Sequence, residues 1–135
     1  LYVNSMEKTL WTQIRKKLKN FFIQRIETQI ERGIPDVHYV TYGGHCGWIE
    51  GKYVKTPKRR KTKIKVGLTI EQLAWHKSYE FYGGKVFILV KKDRDVYLFH
   101  SKDGEKLAKG VTLEDFNKYS ITKDWNNIEN FLSNN

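Results

Sequence analysis

The chain has 135 residues, of which 39% are hydrophobic and 14% aromatic; that is enough for one buried core, too little for two independent ones, and too apolar for a disordered chain. Lys and Arg outnumber Asp and Glu by 25 to 15, leaving a net charge of +10, which favours a polyanionic partner, with nucleic acid ahead of an anionic membrane surface. No apolar run reaches the ~20 residues of a membrane span, no signal peptide opens the chain, and Cys46, the one cysteine, allows neither an internal disulfide nor a thiolate zinc cage.

The expectation is an intracellular protein. Residues 1–5, LYVNS, resemble a protease-site remnant ahead of Met6, so the single domain is taken as 6–135. Leu10, Trp11, Ile14 and Leu18 recur at helical spacing and predict a helix over residues 7–20. Residues 21–27 then read as a strand entering the core. Gly33, Ile34 and Pro35 break the chain, and the extended bias before proline places Asp36 where a second strand, 37–42, begins. Gly43 and Gly44 suit a tight connection with positive φ, leading to an antiparallel third strand over 47–54.

From Lys52 to Lys65 the chain carries eight basic residues and no acidic one, which predicts a self-repelling, mobile loop. Thr69-x-x-Gln72 is a capping box for a second helix, stopped by Gly83 and Gly84. The run KVFILVK, residues 85–91, predicts a strand buried on both faces, paired as a hairpin with 96–100. Two capped helices follow near 112–119 and 124–132. The order α, β, β, β, α, β, β, α, α indicates an α/β domain with a mixed central sheet.

Alternation along the third strand puts Trp48, Glu50 and Lys52 on one face, and antiparallel pairing brings Asp36 alongside. Two hard carboxylate ligands on rigid strands suit Mg²⁺, and an adjacent lysine can hold a water or stabilise developing phosphoryl charge. The pattern points to metal-dependent phosphodiester hydrolysis. Taken singly, Asp36 could be a turn residue and Glu50–Lys52 a surface ion pair.

Pro35-Asp36 followed by Glu50-Gly51-Lys52 resembles the PD-(D/E)XK nuclease signature. Arg25-Ile26-Glu27 ahead of the Gly-Ile-Pro-Asp turn, together with Thr69-x-x-Gln72-x-x-Trp75 and Gly83-Gly84, resembles the small stand-alone, phage-type members of the VRR-NUC branch over about residues 10–100. The resemblance implies a restriction-endonuclease-like core, Mg²⁺ with Mn²⁺ as a substitute, and a homodimer cutting branched DNA such as Holliday junctions in a bacterial or phage-infected cell. It implies Asp36, Glu50 and the Gly51 carbonyl as metal ligands and Lys52 as the catalytic lysine. Glu27 is implied as an added carboxylate on or beside the metal, and Gln72 as the helix residue facing the site, in competition with its capping role. Gly51 departs from the usual bulky apolar residue; because that side-chain direction points away from the metal, the change is expected to touch packing and strand rigidity more than chemistry.

Lys55, Lys58, Arg59, Arg60, Lys61 and Lys63 are the expected phosphate contacts, with His45 a further candidate from the hairpin loop. His38, His76 and His100 show no ligand spacing and read as hydrogen-bonded or surface histidines; Cys46 reads as a loop or strand-end residue. Trp11, Trp48, Trp75 and Trp125 are assigned to core or interface. Helix-one aromatics, or Tyr79, Phe81 and Tyr82, are the candidate dimer surface. The alternative from another class is a DNA-binding module with this fold and no turnover.

Overall fold

The structure is a computed structural model that describes residues 2–27 and 32–135. Six strands form one sheet in the order β1-β2-β3-β4-β5-β6. Helix α1, Tyr2–Lys17, begins before the expected start, so residues 2–5 are continuous with it; Leu1 lies outside the described residues. Strand β1, Phe22–Arg25, is an edge strand: Phe22 is exposed, while Ile23, and Phe21 just before the strand, pack on the core. Strand β2, Val37–Val40, pairs antiparallel with β1 on one side and with β3, Cys46–Val54, on the other. The tight turn closes with Thr41 N–H donating to the His45 carbonyl at 2.7 Å. Of the two glycines there, only Gly44 has positive φ.

Helix α2, Ile70–Phe81, carries the chain from β3 to the parallel strand β4, Val86–Lys92, as parallel pairing requires a crossover. Both halves of the predicted Thr69–Gln72 capping box are present. Val86 to Val90 are all buried because β4 is central, and β5, Asp95–His100, returns antiparallel. The sequence reading missed a 3-10 turn, Ser101–Asp103, helix α3, Gly104–Lys109, and strand β6, Thr122–Lys123; none is long enough to carry a hydrophobic period. Helices α4, Leu113–Tyr119, and α5, Trp125–Ser133, fall where expected; Thr112 caps the first, while Asp124 makes no side-chain cap bond to the second.

The sheet divides two cores. Leu10 and Ile14 of α1, Leu18 just after it, and Ile128 and Leu132 of α5 cover Ile49, Phe87 and Leu89. Each fully buried aliphatic side chain there contributes about 1.5–3 kcal/mol. On the other face Leu107, Val111 and Phe116 pack on Ile88, Val90 and Phe99. Glu50 and Lys52 pair with Ile88 and Val90 in register, so they belong to this second face, the one α2 crosses.

The basic segment is not the loose loop expected of its charge. Thr56 bonds the Asp93 side chain at one end, and Ile64 exchanges backbone hydrogen bonds with Val111 at 2.7 and 2.9 Å at the other. Ile64 and Val66 are buried. Two apolar anchors outweigh the repulsion among side chains that reach solvent.

Candidate active site

Asp36 is fixed from three directions. Its carbonyl accepts from Ile26 N–H at 2.7 Å, continuing the β1–β2 ladder; its side chain Oδ2 accepts from Gly51 N–H at 2.8 Å; and the preceding turn is pressed against α2. Gly33 makes that last contact possible. Its φ is +93°, and a Cβ there would sit 2.3 Å from the Glu71 carbonyl oxygen, so only glycine lets the Gly-Ile-Pro-Asp turn meet the first turn of α2.

Glu50 projects from the middle of β3 and is 1% exposed. Its Oε1 lies 3.2 Å from His76 Nε2, and its Oε2 accepts from Gln72 Nε2 at 3.4 Å. The Asp36 carboxyl is hydrogen-bonded to Glu50. Burial first, then the charge of Glu50 and that hydrogen bond, push Asp36 up from an ordinary 3.8 to about 7, against the opposing pull of the Gly51 N–H and of Lys52. Lys52 is 9% exposed, two residues along the same face. Its charge acts on both Asp36 and His76. Burial lowers His76 to about 4, an effect Lys52 reinforces and Glu80 opposes. The ring is therefore neutral at pH 7, and its contact with Glu50 is a hydrogen bond, not an ion pair.

Two carboxylates in contact, one of them driven towards its protonated form, are what a divalent cation relieves. The donor set fits Mg²⁺: Asp36 and Glu50 converge beside Gly51, and such an ion keeps waters for its remaining positions. Among the described residues no group of three or more His, Cys, Asp or Glu side chains is placed to hold a metal, which sets the site apart from a zinc centre built from protein ligands. A cleft of about 910 Å³ lined by Arg25, Glu27, Gly33, Asp36 and Gln72 opens beside the pair.

The structure thus brings together Asp36, Glu50, Gly51, Lys52 and Gln72. Gln72 holds both expected positions at once, since Oε1 accepts from Thr69 N–H at 3.0 Å while Nε2 turns to Glu50. Glu27 lies on the cleft wall, with its carboxylate directed to Arg25 at 3.3 Å rather than to the acid pair. Position 51 faces the first core, on the opposite side of the sheet from Glu50 and Lys52: a Cβ there would meet Leu10 Cδ2 at 3.2 Å, with Asp36 Oδ2 at 3.5 Å. Leu10 of α1 occupies the room a bulky residue would take. Lys55, Lys58, Arg59, Arg60, Lys61 and Lys63 are exposed beyond the end of β3. His45 lies just before the start of β3, at the opposite end of that strand from the basic segment.

His76 was passed over because it has no partner histidine at ligand spacing. The signal that finds it is its position four residues after Gln72, on the same helix face. Trp48 and Trp75 pack edge-on at 5.6 Å next to the acids, with His38 and Tyr79 extending the row. Trp11 lies under the Arg15 and Arg25 guanidiniums, and Trp125 packs on the first core.

No family model matches the chain, and no curated protein matches it. Among solved structures, the chain is similar to Hjc, a Holliday junction resolvase from the archaeal hyperthermophile Archaeoglobus fulgidus, with a TM-score of 0.50 and 15% identity over 84% of this chain and 98% of that one. That likeness shows a restriction-endonuclease-like fold, as the sequence implied; it extends to the fold and not to the VRR-NUC branch. Among the described residues no helix is long and apolar enough to cross a membrane.

Proposed function

We propose that this chain is a Mg²⁺-dependent endonuclease that hydrolyses phosphodiester bonds in branched DNA, with Asp36, Glu50 and Lys52 at its centre. One observation carries the reading: the Asp36 carboxyl, on the wall of a polar cleft, is held against the buried Glu50 carboxyl of β3, with the buried Lys52 two residues along. An acid pair and an ammonium withdrawn from water cost stability, a cost that a bound divalent cation would offset.

In this reading Asp36, Glu50 and the Gly51 carbonyl would hold the cation. When bound, Mg²⁺ supplies charge neutralisation at the phosphate and acidifies a water. Lys52 would donate hydrogen bonds to the attacking water or to a non-bridging phosphate oxygen, where charge grows as the new P–O bond forms and the sugar–phosphate ester bond breaks; the proton lost by the water passes to solvent, and the leaving sugar oxygen takes one from solvent. Gln72 keeps the Glu50 carboxylate in place. The exposed cations from Lys55 to Lys63 contact backbone phosphates and orient the duplex without reading bases. Glu27 contributes at the mouth of the cleft.

Branched substrate and a homodimer are the finer parts of the proposal. They rest on the VRR-NUC resemblance and on the similarity to a structure whose name is that of a junction resolvase. Two sites related by a twofold axis suit paired cuts, and Phe81 and Tyr82, 83% and 84% exposed, offer an apolar surface for a second copy. Four-way junction, flap and linear duplex incubated side by side with Mg²⁺ test this. Faster cutting of the junction supports it, and equal cutting of all three contradicts the substrate choice. The second reading, a binding module without turnover, draws on Gly51 and on the Arg25-paired Glu27; it predicts binding with no metal-dependent product.

A further inference from the structure

We propose that His76 is a positioning residue: with Gln72 it forms a two-point clamp from one face of α2 that fixes the orientation of the Glu50 carboxylate towards Asp36. The inference rests on the reading of Glu50 as a cation ligand. The terminal torsion of a glutamate is broad and roughly twofold, so burial alone does not set the direction of its oxygens. Here each oxygen has its own donor, Gln72 Nε2 on Oε2 at 3.4 Å and His76 Nε2 on Oε1 at 3.2 Å.

Neither donor is free to turn. The Gln72 amide cannot flip without losing the bond its Oε1 accepts from Thr69 N–H, so the helix cap also sets the side of the amide that faces the acid. The His76 ring is 1% exposed, and its Nδ1 is buried without a hydrogen-bond partner. A proton on Nδ1 would have no acceptor and would leave two lone pairs opposed at Nε2 and Oε1; the proton is therefore on Nε2. Partners of this outer kind are worth about 10–100-fold in metal affinity.

The test is Mg²⁺ titration calorimetry on wild type, His76→Leu and His76→Gln, each verified as folded by circular dichroism. Leucine fills the space without a donor; glutamine restores a neutral N–H. The expected result is an affinity about 10–100-fold weaker for His76→Leu and near wild type for His76→Gln. Unchanged binding by His76→Leu, or equal loss in both variants, overturns the clamp. If His76→Leu does not fold, ¹⁵N NMR of the wild-type ring decides: an Nε2–H tautomer whose Nε2 resonance moves in Glu50→Gln supports it, and an Nδ1–H tautomer overturns it. Wild type that binds no Mg²⁺ sinks the metal-site reading itself, whereas wild-type binding left intact by His76→Leu sinks only the clamp.

Discussion

The backbone N–H of Gly51 donates to Asp36 Oδ2 at 2.8 Å across the β2–β3 boundary. This bond ties the first acid of the site to the strand that carries the second acid and the lysine. It favours the ionised carboxylate, yet burial and the neighbouring Glu50 outweigh it and hold Asp36 near 7.

Stability of the metal-free protein should follow from that balance. The folded chain keeps the Asp36 proton up to about pH 7, while the unfolded chain releases it near 3.8. The folded state binds more protons between these values, so stability falls as pH rises from about 4 to 7. Asp36→Asn removes the effect and retains an acceptor for Gly51 N–H. At ~1.4 kcal/mol per pKa unit the gain above pH 7 is on the order of 2–4 kcal/mol. Thermal unfolding at pH 8 and pH 4 checks it: the variant melts higher at pH 8 and alike at pH 4, and equal melting at both contradicts the assignment.

Cation binding should show the same group from the other side. Below pH 7 Mg²⁺ must displace the Asp36 proton, so the measured affinity falls about tenfold per pH unit there and levels off above about pH 8. Calorimetry at pH 6, 7 and 8 in buffers of different ionisation enthalpy reports both the affinity and the proton released. Binding that is flat from pH 6 to 8 counts against Asp36 as a ligand.

Packing at position 51 predicts a specific coupling. A Cβ at Gly51 would stand 3.2 Å from Leu10 Cδ2 in the core beneath the sheet, so Gly51→Ala should cost about 1–2 kcal/mol by overpacking. In a Leu10→Ala background the same substitution finds room and costs little. A double-mutant cycle by urea unfolding measures the difference; additive effects would show that Leu10 does not limit that site.

The anchored basic segment should act through charge alone. Replacing Lys58, Arg59, Arg60 and Lys61 by alanine leaves the Thr56 and Ile64 anchors intact. DNA affinity should fall on every sequence tested, and the slope of log K against log salt should flatten by up to ~3–4. A change confined to one sequence would mean base reading.

Much of this site was legible because it depends on local rules. Alternation put Glu50 and Lys52 on one face, the capping box set Gln72 at the third position of α2, and the Gly33–Pro35 break placed Asp36 just ahead of β2. What stayed hidden depends on tertiary contact. Nothing in the order of residues shows that Leu10 fills the place beside Gly51, that Glu27 turns to Arg25, or that His76 reaches Glu50. The basic segment was misread because charge repulsion is visible in sequence, whereas the pairing of Ile64 with Val111 joins residues 47 positions apart. Short elements such as α3 and β6 leave no period to detect.

Cleavage of a labelled four-way junction in Mg²⁺, in Mn²⁺ and in EDTA, by wild type, Asp36→Ala and Lys52→Ala, tests the central claim most directly. The account predicts product with either metal, none in EDTA, and a loss of about 10²-fold or more in both variants while DNA binding persists. Wild type that binds the junction tightly and yields no product with either metal would contradict it.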